Sequence, residues 1–359
     1  MYEELKSTFH NRRVLVTGHT GFKGSWLSQW LVQLGAEVIG YALDPYTESD
    51  NFVQIGLASK IHDIRGDVRD FDKLSSVIQA EKPEFIFHLA AQPLVLESYK
   101  LPKDTLDINV GGSINVLEAS RNSDQVKVIV MITSDKCYEN KEWVWGYRES
   151  DAMGGYDPYS ASKGAAEVVI AAYRNSFFNQ SKFDQHGKAL SSVRAGNVIG
   201  GGDWAKDRIV PDCIKSLMSG TSIEVRNPYS TRPWQHVLEP LGGYLYLASK
   251  MYHEPVHYAG AWNFGPDLSS IREVQDLVKL MIQEWGAGKY HVSSQVEKPH
   301  EAKLLALDIS KARLNLGWKP TWDFPQTIMQ TIAWYKGFSN KENMARICEE
   351  QIKLFTSGN

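Results

Sequence analysis

One stretch near the start restricts the fold of this chain more than any other. Arg13-Val14-Leu15-Val16-Thr17 reads as a short buried strand. Gly18-His19-Thr20-Gly21-Phe22-Lys23-Gly24 follows as a glycine-rich turn, and Ser25-Trp26-Leu27-Ser28-Gln29-Trp30-Leu31 as a helical pattern. A strand that passes through spaced glycines into a helix is the setting a dinucleotide site needs. Gly18 permits the tight turn, Gly21 lets a pyrophosphate approach the backbone, and Gly24 lets helix pack on strand. The helix N-terminus then faces the phosphates. The spacing is G-x-x-G-x-x-G, so the strand and helix around it carry the reading as much as the glycines do. Lys23, with His19, either meets phosphate charge or belongs to a solvated face of the turn, and Phe22 lies between them.

The rest of the first half repeats the theme. Strand candidates occur at 13–17, 37–42, 61–64, 84–89, 127–132 and 189–194, with helical patterns between most of them. That alternation predicts an α/β protein with a Rossmann-like, doubly wound parallel sheet. Residues 1–195 are expected to form the cofactor domain. After about residue 195 the alternation breaks, and 196–359 is expected to form mainly a smaller mixed α/β substrate lobe, some segments returning to the first domain. Asp44, at the end of the second strand, would bind a ribose 2′-hydroxyl and repel a 2′-phosphate, which favours NAD over NADP. Asp44-Pro45 is also an ordinary turn pair. Asp67 and Val68 follow the third strand, where an acid could hold an adenine amino group. Leu89, Ala90 and Ala91 follow the fourth, small enough for a nucleotide to pack closely. These segments share the carboxyl ends of consecutive strands, where open α/β sheets bind ligands.

The reactive residues come next. Tyr159 and Lys163 stand four apart, hence on one face of a helix. A free tyrosine has a pKa of about 10, and positive charge beside it favours the phenolate. Thr133-Ser134-Asp135-Lys136 closes an apolar run twenty-odd residues upstream. Composition excludes several classes. With 43% hydrophobic and 23% charged residues in 359, and a formal net charge of −3, nothing points to nucleic acid or an anionic membrane as partner. No apolar run reaches the length of a membrane span, and the opening residues lack a signal-peptide pattern. Cys137, Cys213 and Cys348 are odd in number and far apart, which predicts neither disulfides nor a metal site and fits a reducing cytoplasm.

These residues together resemble the extended short-chain dehydrogenase/reductase superfamily over nearly the whole chain: Gly18–Gly24, Leu89-Ala90-Ala91, Asn109, Ser134 and the Tyr159/Lys163 pair. Within it, Ser134-Asp135-Lys136 resembles the Thr-Asp-Glu segment of the nucleotide-sugar 4,6-dehydratases. The members acting on CDP-glucose are the closer match. That match rests on Thr133–Asn140, Trp145–Glu149, Arg194–Trp204 and Arg232–Val237. Lys136 departs from the glutamate of most dehydratases.

The resemblance implies NAD as cofactor, with Asn109, Tyr159 and Lys163 among its contacts, and CDP-glucose as substrate. It also implies roles. Tyr159 is the base at the C4 hydroxyl, Lys163 lowers its pKa, and Ser134 hydrogen-bonds the same oxygen. Asp135 is the acid for the C6 hydroxyl. Lys136 is a base at C5, an enolate stabiliser, or an ion-pair partner of Asp135 or Glu139. Arg232 would clamp the diphosphate, with Asn197, Arg194, Arg208 and His300 as further substrate candidates. A GDP-mannose 4,6-dehydratase is the nearest alternative. Asp135-Lys136 argues against a 4-epimerase, and intact Ser134, Tyr159 and Lys163 argue against a silent NAD-binding regulator. The apolar stripes of helices expected at 104–120 and 159–178 predict a homodimer through a four-helix contact.

Overall fold

A computed structural model describes residues 2–293 and 304–358, so His300 lies outside the described residues. Seven strands form one sheet: β1 (Arg13–Thr17), β2 (Glu37–Ala42), β3 (His62–Arg65), β4 (Phe85–His88), β5 (Val128–Ile132), β6 (Ala189–Arg194) and β7 (Gly260–Asn263). Their order is β7-β6-β5-β4-β1-β2-β3, and every pairing is parallel. The six strand expectations are met to within a residue at most ends. The seventh strand comes from far along the chain: Gly260–Asn263 aligns with Ser191–Arg194 and extends the sheet.

The strands are short and apolar because both sheet faces are covered. Period-two alternation divides each one between two cores. On one face Val14, Val16, Val38, Phe85, Phe87, Val128 and Val130 pack with Trp26, Trp30, Leu241 and Ile328. On the other, Leu15, Ile39, Ile86, Ile129 and Met131 pack with Leu74, Ile78, Val116, Leu117 and Ile170. Helices Phe22–Gln33, Leu238–His253 and Phe324–Ser339 thus cover the first face, and Phe71–Glu81, Gly112–Arg121 and Pro158–Ser176 the second. The helix expected over 104–120 begins at Pro102 and passes through a wider turn at Asp107–Gly111 before Gly112–Arg121.

Among the described residues three two-stranded ladders stand beyond the sheet: Val198–Ile199 with Gln235–His236, Thr231–Pro233 with Ile271–Glu273, and Ile223–Val225 with Tyr290–Val292. The order in which strands are added reverses between β1 and β4, since β2 and β3 continue on one side and β4 to β6 on the other. The crevice above that switch is where an open sheet of this type receives a ligand. Among the described residues no helix is long and apolar enough to cross a membrane.

Candidate active site

The glycine turn sits at the switch point. Gly18 has φ +75°, and a Cβ there would lie 2.7 Å from the Ala90 nitrogen, so the ends of β1 and β4 close against each other. A Cβ on Gly24 would lie 2.1 Å from the Gly18 carbonyl oxygen. The fold itself therefore requires both glycines. Gly21 differs: it is exposed, and a Cβ would meet nothing nearer than the Gly18 oxygen at 3.4 Å. Gly21 also caps helix Phe22–Gln33, whose first N–H groups have no side-chain cap. Free amides, a helix N-terminus and a bare Cα facing outward fit a dinucleotide pyrophosphate.

The other crevice residues divide. Leu89, Ala90 and Ala91 follow β4 as expected. Asp44 is exposed two residues beyond β2, with Arg65 Nε at 3.4 Å from its carboxylate. Asp67 is held below the ordinary carboxylate pKa by Arg69, which contacts both its oxygens. Val68 is core, its side chain against Gly112. Asn109 is buried and occupied within the protein: it accepts from Gln92 N at 2.8 Å and donates to Ser162 Oγ at 2.8 Å. His19 is corrected. Its ring lies over Gly40, edge-on to Phe52, with Nε2 2.8 Å from Asp63. Burial lowers its pKa despite that acid, so it is a closed core imidazole, not a phosphate cation.

The reactive cluster forms where β5 ends beside the N-terminus of helix Pro158–Ser176. That start is well specified: Asp157 accepts from Ser160 N at 2.9 Å, and Pro158 occupies the first turn. The helix brings Tyr159 and Lys163 to the site, both nearly closed to solvent. Burial pushes the Tyr159 phenol up to about 12, opposed by its hydrogen bond with Ser134; Asp135 adds to the rise and Arg208 draws it back. The cation expected to tune that phenol was Lys163; it is not among the leading charges on it, and the cation that draws it back is Arg208. Burial draws Lys163 down to about 8, against Cys137 and Glu167. Cys137 is held as a thiol by its own burial, which leaves Glu167 as the anion facing Lys163.

Asp135 is buried, accepts from Ser134 Oγ at 2.9 Å, and lies on the Cα of Gly196. Lys23 reaches this centre: burial draws it down to about 8, helped by Arg208 and Lys163 and opposed by Asp135 and Asp203. Neither the phosphate contact nor the solvated face expected for Lys23 included this approach to Asp135 and Lys163. Lys136 is half-buried and takes neither proposed ion pair among the described residues; Glu139 pairs with Lys141.

The substrate candidates separate further. Arg194 is corrected: it is buried and bound to Glu167 at 2.8 Å, so it faces no open crevice. Arg208 pairs with Asp203 at 2.8 Å and stands within electrostatic reach of Tyr159. Asn197 is half-buried with a left-handed backbone (φ 50°), immediately beyond Gly196. Arg232 lies on the Thr231–Pro233 ladder, directly opposite Arg272. Gln235, three residues on and in the ladder with Val198–Ile199, donates to the Gly196 oxygen at 2.9 Å. Sequence reasoning missed Glu167, Asp203 and Gly196. The eight-residue spacing from Tyr159 to Glu167 was a readable signal for the first.

Comparison with known proteins supplies the family. The family model described as GDP-mannose 4,6 dehydratase matches residues 15–331. A CDP-glucose 4,6-dehydratase of Salmonella typhimurium is 49% identical over 98% of both chains. Among solved structures, a Streptomyces venezuelae dTDP-glucose 4,6-dehydratase with NAD bound superposes with a TM-score of 0.76 at 21% identity, covering 93% of this chain and 99% of that one. A Thermotoga maritima UDP-glucose 4-epimerase does so equally, at 0.76 and 20%, covering 91% and 99%. The fold is therefore common to dehydratases and epimerases. By the extent of both sequence matches, the chain belongs to the GDP-mannose 4,6 dehydratase family.

Proposed function

We propose that this protein is an NAD-dependent hydro-lyase that converts CDP-glucose to CDP-4-keto-6-deoxyglucose and water. The observation that carries the reading is the adjacency of Asp135 and Tyr159 around Ser134. Oxidation alone, or epimerisation, needs one proton-transfer group at C4. Loss of the C6 hydroxyl needs a second, and Asp135 is that group. The relative at 49% identity supports CDP-glucose as the substrate.

NAD, when bound, supplies a positively charged hydride acceptor that later gives the hydride back. Tyr159 takes the proton of the C4 hydroxyl, with Ser134 hydrogen-bonded to the same oxygen. Arg208 and the hydrogen bond with Ser134 oppose the burial that keeps the phenol protonated, and Lys163 stands one helical turn away. With a ketone at C4, the C5 proton becomes acidic. Lys136 removes it, or steadies the enolate while water does. Asp135 protonates the departing C6 hydroxyl. Hydride at C6 and a proton at C5 complete the product, so the sugar has lost one water and the cofactor ends as it began. Lys163 also holds the nicotinamide ribose, and Arg232 the diphosphate, with Asn197 beside it.

The unit of function in this reading is a homodimer in a reducing cytoplasm, making a precursor for deoxysugars of a bacterial surface polysaccharide. Exposed Leu106, Ile114, Val168 and Phe177 along the paired helical segments support the dimer. The three buried free cysteines suit the compartment. The test is incubation with NAD and a panel of glucose and mannose nucleotides. CDP-glucose should give a 4-keto-6-deoxy product. Product from GDP-mannose alone would replace the substrate, and a C4 epimer would replace the reaction.

A further inference from the structure

Helix Pro158–Ser176 presents Tyr159, Lys163 and Glu167 at four-residue intervals, hence on one face. Two of the three have roles above. The third is a carboxylate closed to solvent in the centre of the molecule, with a full complement of donors. Thr133 Oγ1 donates to Oε1 at 2.5 Å, Ser192 Oγ to Oε2 at 2.7 Å, and Arg194 Nε and Nη2 to the two oxygens at 2.9 and 2.8 Å. Burial alone would raise the Glu167 pKa; Arg194 and the two hydroxyls bring it below the ordinary carboxylate value.

What those donors are attached to matters. Thr133 directly follows β5 and is bonded to Ser134, the residue that meets both Asp135 and Tyr159. Arg194 extends the network: its Nη1 donates to Tyr138 Oη at 2.6 Å and to the Glu149 carbonyl at 3.1 Å. Tyr138 Oη donates onward to Asn263 Oδ1 at 2.8 Å, on β7. One carboxylate thus joins the helix of Tyr159 to both ends of the segment carrying Ser134, Asp135 and Lys136. It is also the ionised group nearest in effect to Lys163. The other charged or titratable groups that face Lys163 are Cys137, kept as thiol by burial, Lys23, and His88, which burial draws down to about 3 and so leaves neutral.

We propose that Glu167 is a positioning residue: through Thr133 it sets Ser134 and Asp135 against Tyr159, and it places a carboxylate one helical turn from Lys163. The proposal rests on the roles given above to Tyr159 and Lys163. A buried ion pair adds little net stability by itself, because desolvation cancels much of the attraction. Geometry and charge at the site are what this one supplies.

Two variants test it. Thr133→Val keeps shape and charge and removes only the hydroxyl tie between β5 and Glu167. Its kcat on CDP-glucose should fall roughly tenfold or more, with KM within about twofold, because the reacting groups are misplaced while the binding surface is intact. Glu167→Gln removes the charge. The Lys163 titration, followed by NMR of ¹³Cε-labelled lysine and assigned with Lys163→Met, should then move to lower pH, since the ammonium loses its anion and faces an uncompensated Arg194. If Glu167→Gln does not fold, Thr133→Val decides alone. Normal kcat in folded Thr133→Val, or an unmoved Lys163 titration in Glu167→Gln, overturns the proposal. A wild type that leaves CDP-glucose untouched, with Lys163 still titrating lower in Glu167→Gln, rejects the substrate and keeps the network.

Discussion

Gly196→Ala tests whether the placement of Asp135 is what makes the site a dehydratase. Gly196 is not among the residues with positive φ, so alanine is compatible with the backbone. The obstacle is space. A Cβ at this position would lie 1.8 Å from Asp135 Oδ2, 2.2 Å from Cγ and 2.7 Å from Oδ1. To reach ordinary contact at 3.4 Å the carboxylate oxygen must retreat by about 1.6 Å. A displacement near 1 Å in a reacting group can cost about 100-fold in rate. The Ser134–Asp135 hydrogen bond, 2.9 Å long, would break with it. A bond to a charged group of this kind contributes roughly 1.5–3 kcal/mol, which a folded domain tolerates. The loss should fall on elimination and spare the first hydride transfer. Single-turnover mixing with CDP-glucose and NAD should therefore accumulate reduced cofactor, seen as near-ultraviolet absorbance, while keto product forms slowly. Asp135→Asn, which keeps the shape and cannot give up a proton, should behave alike. Normal product formation by folded Gly196→Ala would refute the reasoning. Loss of cofactor reduction with substrate still bound would place Asp135 in the earlier step.

Three further outcomes are expected. Tyr159→Phe should lower turnover by orders of magnitude with CDP-glucose binding nearly kept, measured by steady-state kinetics beside calorimetric titration. Burial raises Glu239 to about 7 from 4.5, against the backbone N–H groups of Thr321 and Trp322 that it accepts from. A raised carboxylate binds its proton more tightly folded than unfolded, so stability should decline as pH climbs from about 4.5 to 7, by roughly 3 kcal/mol for this group, and Glu239→Gln should flatten that slope in denaturant titrations. Light scattering at micromolar concentration should give a dimer, about twice the 40.5 kDa chain; the monomer mass would count against the helix-pair interface.

Local rules reached far into this protein. The strand, glycine turn and helix at 13–33 follow from short-range sterics, and the alternation of apolar segments is enough to imply a sheet covered on both faces. The Tyr159/Lys163 spacing needs only the pitch of a helix to put both residues on one side. What the chain alone could not disclose depends on contacts between distant segments. Arginine at 194 and histidine at 19 carry the same chemistry whether they meet ligand or protein; Glu167, 27 residues away, and Asp63, 44 residues away, decide that both are engaged inside. The seventh strand joins β6 from residues 260–263 because a sheet edge accepts any segment that can pair, whatever its distance along the chain. Gly196 reads as a loop glycine until Asp135 is found resting on it. Periodicity and turn chemistry are properties of neighbours in sequence and are therefore written there. The partner of a buried charge, and the room beside a glycine, arise only when packing brings remote residues together.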